Sequence, residues 1–167
     1  EKAKVTLEES FAEVAKYRDK KVNVDVKNTA AMAQVQELAI KYGILDRIFY
    51  TGLAEGDIDE AKKLSPLVKY YINASFDSSS REECDRVCEN AVALGALGLN
   101  ISYTTLTDEL MESAREHGLL VSVYTVNRLK DMRLCLSYGV DNITSEFPYK
   151  LYTVTGSLFN RARRKTA

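Results

Sequence analysis

Apolar and polar positions alternate strictly along Val22-Asn23-Val24-Asp25-Val26-Lys27. A strand sends successive side chains to opposite faces. The run therefore predicts a strand with the three valines on one side and Asn23, Asp25 and Lys27 on the other. Elsewhere the pattern switches between helical and strand spacing. Leu7, Phe11 and Val14 predict an opening helix, with Thr6 and Glu9 spaced for a capping box. Met32, Val35, Ala39 and Tyr42 predict a second helix, capped by Asn28 or Thr29 and ended by Gly43. Ile48 to Leu53 predicts a strand, after which Asp57 opens a short helix with Glu60 as its capping partner. Val68 to Ser75 predicts a third strand, and Ser78-Ser79-Ser80 with Glu83 caps a helix closed by Gly95. A strand from Leu97 to Ser102 precedes a helix from about Thr107 to His117, ended by Gly118. Leu119 to Val126 predicts the next strand. Asn127 then caps a helix bearing Leu129, Met132 and Leu136, which stops at Gly139. Asp141 to Ser145 predicts the last strand, and Pro148 stands where a closing helix begins.

Strands separated by helices imply parallel pairing through crossover connections. A doubly wound sheet and a TIM (β/α)8-type barrel both fit that alternation. No Gly-x-Gly-x-x-Gly follows the first strand, which counts against the dinucleotide-binding version. Polar residues instead collect at strand ends: Asp25 and Lys27, Thr51, Asn73, Asn100, Thr125, Asn127 and Glu146. A barrel gathers such ends in one ring at its C-terminal mouth. The pattern therefore predicts an α/β barrel in one domain over residues 1–167, with Asp25 and Lys27 projecting together into a shared polar basin.

Composition narrows the class further. The 167 residues carry 23 Lys and Arg against 24 Asp and Glu, so no net field favours nucleic acid or an anionic surface. Arg161, Arg163, Arg164 and Lys165 form a basic cluster that reads as a solvated terminus. No apolar stretch reaches the roughly 18 residues of a membrane span, and the charged start, Glu1 to Lys4, does not read as a signal peptide. Cys84, Cys88 and Cys135 lack zinc or redox spacing, and read as buried reduced thiols that fit a cytoplasmic setting.

Several segments, taken in order, resemble the glycerophosphodiester phosphodiesterase family. They are Thr6-Leu7-Glu8-Glu9, the run from Val22 to Lys27, Val123-Tyr124-Thr125-Val126-Asn127, and the ending Gly139-Val140-Asp141-Asn142-Ile143-Thr144-Ser145-Glu146-Phe147-Pro148. The resemblance implies a TIM barrel that hydrolyses glycerophosphodiesters to glycerol 3-phosphate and an alcohol with a divalent metal, Mg²⁺ or Ca²⁺. It implies Asp25 as a metal ligand where the family more usually has Glu, and Lys27 as the phosphate-facing lysine. It implies Tyr124 as the wall of the substrate pocket, in place of a common Trp, and Asn127 as the asparagine after it.

The family's His-Arg-Gly motif, Glu-x-Asp pair and second catalytic His find no match here. The expected object is thus an incomplete barrel of about six strand–helix units, the C-terminal three-quarters of the family's fold. One carboxylate is too few to hold a hard divalent ion tightly, and the expectation is negligible turnover by this chain alone. His117, next to Gly118, reads as a helix C-terminal cap. Six strands of an eight-strand design leave open edges, which predicts self-association or pairing with a separate N-terminal segment. Three other readings stay open: a scaffold barrel without chemistry, a Schiff-base lysine at position 27, and a buried salt bridge between Asp25 and Lys27.

Overall fold

The computed structural model describes residues 4–155, so the basic cluster from Arg161 to Lys165 lies outside the described residues. Strand and helix alternate throughout: α1 (Leu7–Ala15), β1 (Val22–Asp25), α2 (Met32–Lys41), β2 (Ile48–Leu53), α3 (Ile58–Leu64), β3 (Lys69–Asn73), α4 (Arg81–Ala93), β4 (Gly98–Ser102), α5 (Asp108–Glu116), β5 (Leu120–Tyr124), α6 (Leu129–Tyr138) and β6 (Asn142–Ile143). Residues 148–155 are helical, as Pro148 predicts. The chain divides into two compact units, one running up to Asn73 and including Ala93–Leu97, the other taking Ala74–Val92 and the residues from Gly98 onward.

In the first unit β1 pairs parallel with β2, and β2 parallel with β3. Tyr50 shows which face meets the helices. Its ring is fully buried, and its hydroxyl donates to the Met32 carbonyl (3.3 Å) and shares a hydrogen bond with Ser65 Oγ (2.9 Å). On the opposite face Phe49 meets Tyr71 edge-on at 5.4 Å, and Thr51 Oγ1 donates to Asn23 Oδ1 at 2.8 Å. Phe11, Met32, Val35, Ala39 and Ile58 close the helix side of this core.

In the second unit β4 pairs parallel with β5, and β5 with β6. Leu99, Ile101, Val121 and Val123 are buried, alternating with an in-register polar row. Across that row Ser122 Oγ donates to Asn100 Oδ1 and accepts from Asn142 Nδ2, both at 2.9 Å. Asn100 is therefore committed to a buried network. On the outer layer Arg81 of α4 pairs with Asp85 at 2.9 Å, and with Glu112 (3.3 Å) and Glu116 of α5. Ser113 of α5 donates to Asp85 at 2.6 Å.

Helix ends follow the local chemistry. Thr6 and Glu9 form the capping box, and Asn28 caps a short 3₁₀ turn (Thr29–Ala31) that leads into α2. Gly43, Gly95, Gly118 and Gly139 all take positive φ at helix exits. Two predicted caps are corrected. Glu60 does not cap α3, because its carboxylate is taken by the Thr29 hydroxyl at 2.7 Å; Asp57 reaches back to the Ala54 N–H at 2.8 Å instead. Asn127 does not cap α6 either: the N-cap position falls at Arg128, with no side-chain cap bond. The last strand is Asn142–Ile143, shorter than expected, with flanking bonds from the Asp141 N–H to the Val121 carbonyl (2.9 Å) and from the Thr144 N–H to the Val123 carbonyl (2.8 Å).

Candidate functional site

At the polar end of β1, Asp25 and Lys27 do not share a basin as expected: Lys27 lines a cleft and Asp25 does not. The β1 ladder runs one residue past Asp25, with the Val26 N–H donating to the Thr51 carbonyl at 2.8 Å. Asp25 and Lys27, two positions apart, meet as an ion pair with Nζ 2.7 Å from Oδ2. Lys27 joins Val26, Asn28, Thr29, Gly52, Leu53 and Asp57 around an open cleft of about 280 Å³. The pair is not buried: the side chains of Lys27 and Asp25 are 81% and 54% exposed. That removes the buried-bridge reading. It also leaves Lys27 without the desolvating apolar pocket that activates a Schiff-base lysine.

What sets this corner is a bulge. β2 carries an extra residue against β3 between Tyr50 and Leu53, and Gly52 there has φ +87°. A glycine inside a strand often marks such a point. Thr51-Gly52 was therefore a legible signal that strand periodicity alone passed over. Asn73, a predicted strand-end residue, uses its Oδ1 to accept the Gly52 N–H at 3.3 Å.

The second unit holds the other two predicted site residues. Tyr124 ends β5 with 37% exposure. Asn127 clasps two loops: its Nδ2 donates to Glu146 Oε2 (3.1 Å), and its Oδ1 accepts from Glu146 N (3.0 Å) and Ser145 Oγ (3.3 Å). Lys150 donates to the Asn127 carbonyl at 3.2 Å and sits 4.0 Å from the Phe147 ring centroid. Glu146, noted as a polar strand end, is thus a partner of Asn127.

No three His, Cys, Asp or Glu side chains gather as a metal-ligand set among the described residues. Beside the cleft-lining Lys27, Asp25 is engaged by its ammonium, and Asp57 in the cleft wall by a backbone N–H. These donors do not fit a tightly held divalent ion. His117 is the only histidine of the sequence. Its Nδ1 lies 2.8 Å from the Ser113 carbonyl, in the helix-end role its spacing predicts. The three cysteines are free and buried, and burial pushes the Cys84, Cys88 and Cys135 thiols up. No helix among the described residues is long and apolar enough to cross a membrane.

Parallel strands alternating with helices, and polar groups at the strand ends, define an incomplete TIM-type α/β barrel. Solved structures share that fold. One from Silicibacter pomeroyi, provisionally named a glycerophosphoryl diester phosphodiesterase, aligns with TM-score 0.74 and 20% identity over 91% of this chain and 56% of its own. An Oleispira antarctica phosphodiesterase in complex with the product sn-glycerol-3-phosphate aligns with TM-score 0.68 and 18% identity, over 90% and 61%. The glycerophosphoryl diester phosphodiesterase family model matches residues 1–150, and the chain belongs to that family. A glycerophosphodiester phosphodiesterase of Caldanaerobacter subterraneus is 26% identical over 87% of the chain. The chain spans 61% and 59% of the length of two curated relatives it matches.

Proposed function

We propose that this chain carries the phosphate-contacting part of a glycerophosphodiester phosphodiesterase, which hydrolyses glycerophosphodiesters to glycerol 3-phosphate and an alcohol. The observation that carries the reading is the Lys27 ammonium, which lines the open cleft and is paired with Asp25. An ammonium has three donors. Asp25 takes one, which leaves two for phosphoryl oxygens, and the carboxylate fixes where they point. The family resemblance gives Tyr124 the place of the substrate wall and Asn127 that of the asparagine after it; within its own unit Asn127 holds Ser145 and Glu146. A divalent cofactor, Mg²⁺ or Ca²⁺, belongs to this reading, with Asp25 as one ligand, held weakly if at all by this chain alone.

Hydrolysis also needs a proton acceptor for the nucleophile and a donor for the leaving alkoxide. The sole histidine is tied to a helix-end carbonyl, so this chain alone turns substrate over negligibly. Loss of positioned acid–base groups costs about 10² to 10⁴-fold in rate. The experiment is a glycerophosphocholine assay with Mg²⁺ or Ca²⁺, run on the chain alone and with the part of a curated relative that it does not match. Hydrolysis that appears only in the mixture supports the proposal. Turnover by the isolated chain, or none in the mixture, contradicts it.

Partner binding follows from the same reading. β1 pairs with β2 on one side, and an edge strand is a template for another chain. Self-association, or pairing with a separate N-terminal segment, is the expected outcome, and a concentration-independent monomer by light scattering would oppose the former. A scaffold role without chemistry is the second reading, favoured by the missing ligand cluster among the described residues. It predicts no hydrolysis under either condition.

A further inference from the structure

The orientation of the Asp25 carboxylate depends on a neighbour that has no side chain. Gly52 sits at the β2 bulge with φ +87°, and a Cβ built there would lie 2.5 Å from Asp25 Oδ1. The same Cβ would lie 2.5 Å from the Val26 carbonyl oxygen and 3.0 Å from Val26 N, so the strand end itself leaves no room. The other carboxylate oxygen, Oδ2, is the one 2.7 Å from Lys27 Nζ. Asp25 is thus held with one oxygen against bare backbone and the other on the ammonium. On the far side of the bulge Asn73 Oδ1 accepts the Gly52 N–H at 3.3 Å, and so ties the bulge to β3.

We infer that Gly52 and Asn73 are positioning residues that set the Asp25 carboxylate against Lys27 and so aim the Lys27 ammonium, which lines the cleft. The inference rests on the phosphate-binding reading for its purpose, and on the bulge geometry for its substance. Gly52 works by absence: it leaves the volume that Asp25 occupies. Asn73 works by holding the bulge that brings this bare backbone under the carboxylate. Neither needs to touch the ligand.

The test reads the pair directly, through the ¹⁵N and ¹H signals of the Lys27 ammonium in the full chain. Asp25→Ala defines the position of the unpaired signal. Gly52→Ala is expected to move the signal most of the way there. Asn73→Ala is expected to move it part of the way, and Asn73→Asp, which keeps an acceptor for the Gly52 N–H, to return it. Gly43→Ala is the control for backbone strain, because Gly43 has φ +64° and nothing within 4 Å of an added Cβ; its Lys27 signal is expected to stay in place.

A folded Gly52→Ala chain with its Lys27 signal unmoved overturns the inference. If that variant does not fold, Asn73→Ala decides, an unmoved signal again overturning it. A second arm titrates sn-glycerol 3-phosphate, whose affinity is expected to fall about tenfold in Gly52→Ala, the size of one charge-assisted hydrogen bond. Signals that move in a protein whose wild type binds no glycerol phosphate support the positioning role while removing the phosphate reading.

Discussion

Asp25 and Lys27 stand two residues apart at a strand end, and that spacing puts a carboxylate and an ammonium on one side of the backbone. Their chemical identities and their meeting were legible in six letters of sequence; their exposure was not, because it depends on what flanks β1. An exposed pair adds little to stability, about 0–1 kcal/mol. Lys27→Ala should therefore leave the urea unfolding midpoint nearly unchanged while removing glycerol phosphate binding. A large drop in stability would mean that the pair is structural. Asn127 is the converse case. Its place in the sequence was legible, but the three hydrogen bonds it makes to Ser145 and Glu146 were not, since they join segments 18 and 19 residues apart. At about 1 kcal/mol net for each, Asn127→Ala should lower stability by roughly 2–3 kcal/mol in urea unfolding, whatever it does to binding.

At the scale of elements, caps and glycine stops were readable because they are local. Thr6 with Glu9, Ser80 with Glu83, and the glycines at helix exits are settled within four residues of chain. Errors arose where a distant partner competed, as when Thr29 drew Glu60 away from α3. The α4–α5 clasp was invisible for the same reason, and it has a pH signature. The Ser113 hydroxyl, and then Arg81, hold the Asp85 carboxyl below the usual carboxylate range. The folded chain therefore binds fewer protons there than the unfolded chain in mild acid. That stabilisation is complete above the ordinary carboxylate pKa and drains away as pH falls through the depressed one. Ser113→Ala removes the largest cause. Its destabilisation, read from urea midpoints, should be greatest near neutral pH and shrink steadily into acid. A pH-independent difference would assign the loss to packing alone.

For the whole molecule, the alternation of strands and helices carried the fold class, because parallel strands need crossovers and crossovers need helices. The β2 bulge escaped, although it flips the buried–exposed alternation of β2 between Tyr50 and Leu53, and it shapes the corner where Asp25 and Lys27 meet. The chain's family membership and the proposed phosphate contact both direct the test to Lys27. The most direct measurement is therefore a titration of the full chain with sn-glycerol 3-phosphate, followed by amide NMR, beside the Lys27→Ala variant. The account predicts saturable shifts confined to the cleft, at Val26 to Thr29, Gly52, Leu53 and Asp57, and their loss in the variant. Shifts elsewhere with the cleft silent, or equal binding by Lys27→Ala, would contradict it.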